Sequence, residues 1–446
     1  PLIIAGGHAA FNPEPMADFI DAFVIGDGEE AIVDVVRAYQ AVGSRDRMQA
    51  LRALAEVPGV YVPSFYDVRY HADGPVAEIR PTQPEARLPV QARVVSVLPP
   101  PPTRLLVPAI DTSHNRATIE IQRGCTRGCR FCQAGVLTRP VRERPVDEVL
   151  AAIEAIIAQT GFEEVGLLSL SSSDYSEIGR LVDAAVARFG DTHLSIALPA
   201  LRADSFSIGL AKALSGSRHS GFTFAPEAAS DRLRDTINKP ITTEQVLEAA
   251  REVTARGWRT IKLYFMIGLP GEQLEDVAAI ADVARAVREV GRRSHGGRAQ
   301  VNVSVNVFVP KPHTPFQWVA MAPEASVIER QALLRREMRG RGVKLDVSGP
   351  MSALLEGVLA RGDRRLGAVI ARAWELGACF DAWEDQRRPG AWMQAFAAAG
   401  LDPAFYVYRE RPPDEVFPWD VVSTGVRRRF LLAELERSRG ASTLPD

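Results

Sequence analysis

The sequence predicts an α/β protein: an open (β/α)6 barrel, that is, a partial TIM barrel. A Rossmann-like remnant precedes it and a mainly helical region follows. Three observations carry this expectation. Short apolar runs alternate with amphipathic helical stretches between about 117 and 310. Those runs show little polar alternation, as parallel strands covered on both faces do. A strand–helix–strand–helix pattern also fills residues 1–42.

At 446 residues the chain exceeds one ordinary core, so two or three domains are expected. Hydrophobic residues at 46% and charged residues at 24% describe a globular protein. No apolar run reaches the length of a membrane span, and no membrane partner is expected. The net charge of −2 gives no general attraction to nucleic acid. Of 53 basic residues, 48 are arginine and five lysine, a bias ascribed to genome composition. Four cysteines do not make a disulfide scaffold, so a reducing cytoplasm is the expected location. The chain opens on Pro1, and the natural N-terminus is expected upstream.

Residues 1–42 read as the back half of a Rossmann-like unit. LIIAGG is a strand, PMADFIDAF a helix, FVIGDGEE a strand meeting an acidic turn, and AIVDVVRAYQ a helix. Turns after strand ends, here Gly6-Gly7-His8 and Gly26-Asp27-Gly28-Glu29, are where such sheets bind ligands. Seven acids against one arginine in this stretch disfavour a phosphate-rich ligand. Residues 43–105 are less regular. VYVPSFYDVRYHADG suggests a hairpin, and LPPPPTR, Leu98–Arg104, a polyproline linker.

The barrel is expected over 106–325. Its strands are TIEIQ, EVGLLSL, HLSIALP, GFTFAP, TIKLYFMIG and VNVSVNVFVP. Between them run VDEVLAAIEAIIAQ, SEIGRLVDAAVARFG, SIGLAKALSG, TTEQVLEAAREVTARG and EDVAAIADVARAVREVG as helices. Residues 326–446 read as mainly helical. Their four tryptophans, Trp374, Trp383, Trp392 and Trp419, are expected in the core. RGDRRLG, Arg361–Gly367, reads as a charged helix surface, and Cys379, in an apolar helix, as a small hydrophobe.

RGCTRGCRFCQAG, Arg123–Gly135, holds Cys125, Cys129 and Cys132 directly after the first barrel strand, at the mouth where barrel chemistry is done. A structural zinc takes four protein ligands, and here a fourth would have to be distant, such as Cys379. An iron–sulfur cluster is also normally held by four thiolates; with three, one iron stays open for a substrate. The thiolate-only donor set favours the cluster.

The Cys125, Cys129, Phe131, Cys132 arrangement resembles that of the radical S-adenosylmethionine enzymes. The resemblance implies a [4Fe–4S] cluster whose free iron is chelated by S-adenosylmethionine. Reductive cleavage then gives a 5′-deoxyadenosyl radical, with electrons from a donor such as flavodoxin or ferredoxin. It further implies Phe131 beside the adenine, and Ser172, Ser173 and Asp174 toward the methionyl amino group in place of the commoner glycine-glycine-glutamate. Arg202 and Asp204 are expected at the carboxylate or ribose, Glu227 at a neighbouring strand end, and MIGLPGE, with Gly268 and Pro270, behind the ligand. Lys311 and His313 of FVPKPHTPF could face substrate or cap a proline turn. GGHAAFNPEP with FVIGDGEE, and FAPEAASDRLRDTINKPIT, RGDRRLG and PWD, are similar to a group of radical enzymes carrying a cobalamin-binding domain. Cobalamin is expected, if at all, of the full-length protein only. The substrate is unread. The rival functions are RNA or ribosomal-protein modification of the methylthiotransferase kind, which usually uses a second cysteine triad, and a non-catalytic iron–sulfur protein for electron transfer or sensing.

Overall fold

The computed structural model describes residues 1–43, 46–110, 112, 115–190, 194–198, 202, 221–340 and 342–440. The expected helix SIGLAKALSG and Asp204 lie outside these residues. The N-terminal unit starts with β1 (Ile4–Ala5) parallel to β2 (Ala22–Val24), then α1 (Gly28–Val42) and α2 (Arg47–Glu56), with β3 (Val60–Tyr61) antiparallel to β2. The hairpin β4 (Tyr66–Tyr70) and β5 (Val76–Pro81) follows, turning at the expected Ala-Asp-Gly. Then comes β6 (Val90–Gln91).

Two readings change here. PMADFIDAF is not a helix: the prolines at 13 and 15 keep the chain in short 3-10 turns, Glu14–Met16 among them, and Ala22 already belongs to β2. RMQALRALAE, passed over as irregular, is α2, capped by the Asp46 carboxylate on the Met48 and Gln49 amides.

The barrel comes as two parallel sheets. In the first, β10 (Glu164–Leu168) lies between β7 (Ala117–Glu120) and β11 (Ser195–Ala197). In the second, the order is β12 (Phe222–Glu227), β13 (Thr260–Ile267), β14 (Gln300–Val307) and β15 (Val343–Val347). The ribbon β8 (Gln122–Arg123) and β9 (Arg142–Glu143) flanks α3 (Gln133–Leu137). Covering helices are α4 (Val146–Thr160), α5 (Ile178–Phe189), α6 (Asp231–Thr236), α7 (Thr243–Ala255), α8 (Leu274–His295) and α9 (Glu324–Glu337). Thr242 and Gln245 close a capping box that fixes the start of α7.

The sheet carries one strand more than the expected six, since β15 adds in parallel to β14. Its Val-Lys-Leu-Asp-Val alternates in polarity, a short strand within the stretch expected to be mainly helical. The strands also alternate more strictly than expected. Ile261, Leu263, Phe265 and Ile267 pack under the helices, while Lys262 and Tyr264 between them are exposed. One face of the sheet is thus open to solvent.

The rest of the chain is α10 (Pro350–Arg361), α11 (Leu366–Glu375), α12 (Pro389–Ala398), α13 (Pro403–Val407), β16 (Val422–Ser423), which pairs with β6, and α14 (Arg428–Ser438). RGDRRLG is not a solvated charge run. Arg361 is fully buried and donates to the carbonyls of Tyr406 and Pro310. Arg364 reaches back to buried Glu14, at 2.8 Å from Nε to Oε2, and to the Tyr66 carbonyl. Breaking such a buried pair costs about 3–5 kcal/mol, so this segment clasps the N-terminal unit to the barrel. Trp392 and Trp419 are core as expected, but Trp374 and Trp383 are 69% and 60% exposed. Cys379 is also exposed, in the connection between α11 and α12, and not a buried hydrophobe.

Candidate active site at the barrel mouth

The cysteine loop leaves β8 through Gly124, whose φ of 93° and closeness to the Thr138 and Pro140 carbonyls leave no room for a side chain. Arg123, just before it, binds Asp27 (3.0 Å), Glu29 (2.6 Å) and Glu120 (2.9 Å). Arg142 on the paired strand also holds Asp27. The acidic turn Gly26–Glu29 is therefore a fastening between the N-terminal unit and the loop, rather than the ligand turn expected of a free strand end.

Deeper in the loop, Arg127 pairs with Asp174. The buried Arg130 side chain donates to the carbonyls of Asp235 (2.8 Å) and Thr236 (2.9 Å) and to Glu434 of α14 at 3.1 Å. Cys132 caps α3, its sulfur accepting the Gly135 amide at 3.4 Å. All three cysteines are partly exposed and free of disulfides. Burial pushes the Cys129 thiol up, opposed in part by Lys239 and Arg202; burial likewise raises Cys132, opposed by the Gly135 amide.

This donor set fits a cluster. Among the described residues no three His, Cys, Asp or Glu side chains form a group able to hold a single metal ion. A cubane makes no such demand, because each thiolate binds a different iron. The cations around Cys129 also suit a negatively charged cluster, whose metal replaces the thiol protons.

Beside the loop, Phe131 lines a cavity of about 450 Å³ with Glu227, Tyr264, Met266, Asn306 and Lys311, among others. Glu227 ends β12 after a bulge and holds a positive φ of 66°, a strained geometry that clusters at functional sites. Its carboxylate accepts Lys239 Nζ at 3.0 Å, and Lys239 is in turn one of the cations acting on Cys129. Ser173 Oγ accepts the Arg202 amide at 3.3 Å. Burial raises the Asp174 carboxyl, but hydrogen bonds from Arg127 and Ser171 and the charge of Arg127 bring it below the usual carboxylate range.

Other expected site residues sit differently. Ser172 is buried and donates to the Leu167 carbonyl at 3.2 Å. Gly268 and Pro270 line a separate cavity of about 550 Å³ beside Arg232, Arg330 and Leu435, not the Phe131 cavity. There the Gly268 amide donates to Glu272, which Arg330 also holds at 2.8 Å. Lys311 pairs with Glu356 at 2.6 Å within the Phe131 cavity. His313 is buried and donates to the Phe11 carbonyl at 2.8 Å, so it ties this turn to the N-terminal unit and does not line the Phe131 cavity. Sequence reasoning missed Arg123, Arg127, Arg130, Lys239 and Glu434. Only the arginine-rich spacing within the loop signalled any of them, because their partners lie far along the chain.

Three free cysteines thus sit on a braced loop at the mouth of a partial parallel barrel, next to a cavity bearing an aromatic and ion pairs. Residues 119–284 match the radical SAM superfamily and residues 1–63 match the N-terminal region of radical SAM proteins. The chain belongs to the radical SAM superfamily and is an enzyme of that kind, in a family that uses a [4Fe–4S] cluster and S-adenosylmethionine. Among its relatives is an uncharacterised protein of Methanocaldococcus jannaschii, 27% identical over 371 residues, covering 83% of this chain and 73% of the relative. The threonylcarbamoyladenosine tRNA methylthiotransferase of Treponema pallidum is 24% identical over 230 residues; these make up 50% of this chain and 45% of that one. The chain thus spans less than half of that relative. Its fold is similar to the methyltransferase TsrM of Kitasatospora setae, solved with cobalamin and a [4Fe–4S] cluster: TM-score 0.52, 16% identity, 89% of this chain and 81% of that one. No helix among the described residues is long and apolar enough to cross a membrane.

Proposed function

We propose that Cys125, Cys129 and Cys132 hold a [4Fe–4S] cluster with one iron left open, and that the chain uses it to make a substrate radical beside Phe131. When bound, cluster and S-adenosylmethionine supply a one-electron cleavage that yields a 5′-deoxyadenosyl radical. The chain's own residues do the rest. Arg123, Arg127 and Arg130 fix the loop on three sides. Arg202 and Lys239 offset negative charge near Cys129. Phe131 gives the adenine an apolar face at the cavity, and Glu227 presents a carboxylate held by Lys239. The observation that carries this reading is the placement of three free cysteines on a multiply braced loop directly against that cavity.

The chain carries one cysteine outside the loop, so it does not itself supply the second triad that methylthiolation usually uses. Cobalamin-assisted methyl transfer is the finer reading, favoured by the likeness of fold to TsrM. The residues of the N-terminal unit do not argue for cobalamin on their own: Asp27 and Glu29 are occupied by arginines, and His8 is an exposed residue after β1. A cytoplasmic setting and a flavodoxin- or ferredoxin-type electron donor belong to the same proposal.

The test is anaerobic reconstitution with iron and sulfide, followed by dithionite reduction with S-adenosylmethionine. About four irons per chain and release of 5′-deoxyadenosine are expected. A reduced, iron-loaded protein that leaves S-adenosylmethionine intact would be a non-catalytic cluster protein, and the proposal would fail.

A further inference from the structure

Resting on the radical reading above, we propose that the open inner face of the second sheet binds a small substrate by an oxyanion at its end remote from the reacting carbon. Lys262 and Lys344 hold that anion. The first observation is where lysine occurs. The chain uses arginine for nearly every cation, yet three of its four described lysines lie on barrel strands or strand-end loops, Lys262, Lys311 and Lys344, and the fourth, Lys239, reaches the strand-end Glu227 from the connection between α6 and α7. A compact ammonium is not interchangeable with a guanidinium, so lysine persists in an arginine-rich chain where a point charge is wanted.

The second observation is pairing. Lys239 and Lys311 are ion-paired with Glu227 and Glu356, whereas Lys262 and Lys344 are exposed and make no ion pair among the described residues.

The third is register. Thr223, Lys262, Asn302 and Lys344 are consecutive partners across β12, β13, β14 and β15, so they form one rung on the face turned away from the helices. Two strand spacings separate the lysines, about 10 Å, a gap that two flexible four-carbon stems can close around one oxyanion. On the next rung, Tyr264, Ser304 and Asp346 offer two hydroxyls and one carboxylate. Asp346 leaves the two rungs with a surplus of one positive charge. The rung after that, Met266 and Asn306, lines the Phe131 cavity. From Lys262 to Met266 is four residues, about 13 Å along the strand. The substrate therefore has its anion about that far from the carbon that reacts, with hydroxyl or amide groups between.

Having only five lysines makes the test direct. The cluster-loaded full chain, with S-adenosylmethionine present, is labelled with an amine-reactive reagent in the presence of pyrophosphate or succinate. Each lysine is then read by peptide mass spectrometry. Protection of Lys262 and Lys344 is expected: pyrophosphate alone assigns a phosphate ester, succinate alone a carboxylate, and both the shared oxyanion chemistry. Calorimetric binding of the protecting probe should weaken about tenfold in Lys262→Gln and in Lys344→Gln. No protection by either probe, or binding indifferent to both substitutions, overturns the proposal. Iron content and the spectral response to S-adenosylmethionine, read on the same wild-type sample, report on the radical reading separately.

Discussion

Replacing Glu272 by glutamine should turn a level pH–stability profile into a sloping one. Burial of the Glu272 carboxyl outweighs the Gly268 amide and the Arg330 guanidinium, and pushes it from its ordinary 4.5 up to about 7. The unfolded chain releases this proton first, so stability falls as pH rises from 4.5 to about 7. At about 1.4 kcal/mol per pH unit the loss is about 3 kcal/mol. His313 acts in the opposite sense. Burial outweighs its bond to the Phe11 carbonyl and lowers it from 6.5 to about 4. Here the unfolded chain takes up the proton first, so stability falls by about 3 kcal/mol as pH drops from 6.5 to about 4. Between about 4.5 and 6.5 the two slopes cancel. Glu272→Gln should unmask a stability that rises with pH. His313→Asn should unmask one that falls; asparagine tolerates the positive φ of 63° there and keeps a donor for Phe11. The double variant should again be level. The assay is urea unfolding of the cluster-free chain at half-unit pH steps, taken as differences from wild type. Parallel profiles for wild type and both single variants would refute the reasoning.

Further outcomes are expected. Arg130→Met removes a buried charge from Glu434 and should cost about 3 kcal/mol, with a coupling above about 1 kcal/mol to Glu434→Gln in a double-mutant cycle; additive costs would mean that α14 does not brace the loop. Cys125→Ala, Cys129→Ala and Cys132→Ala should each lose the iron, while Cys379→Ser keeps it. Iron retained in the first three, or lost from the last, would count against the ligand assignment. Gly26→Ala places a methyl 2.2 Å from the Arg93 carbonyl at a φ of 98°, and should lower the melting temperature of the whole chain by several degrees. An unchanged transition in a thermal scan would show that the segment after β6 at Arg93 gives way there.

What the sequence conveyed and what it withheld divide along physical lines. Local patterns survived: the threonine before TEQVLEAAREVTA marked a helix start and Ala-Asp-Gly a hairpin. Misreadings arose where a partner lies about a hundred residues or more away. Arg364 looks solvated until buried Glu14 is set beside it, 350 positions earlier. Asp27 and Glu29 look like a vacant strand-end turn until Arg123 and Arg142 arrive. The apolar bias of TIKLYFMIG suggests two covered faces, although Lys262 and Tyr264 are the visible sign of an open one. Trp374 and Trp383 defied the burial preference of their type, and nothing in the structure explains their exposure.

The bond between Arg130 and Glu434 spans 304 positions. A ribosome adding about 20 residues per second at most needs about 15 s to travel that far. During that interval Cys125, Cys129 and Cys132 belong to a loop whose strut has not been made. The strut of the cysteine loop is therefore completed only once α14 has been translated, so a chain cut short before Glu434 would carry the loop without it.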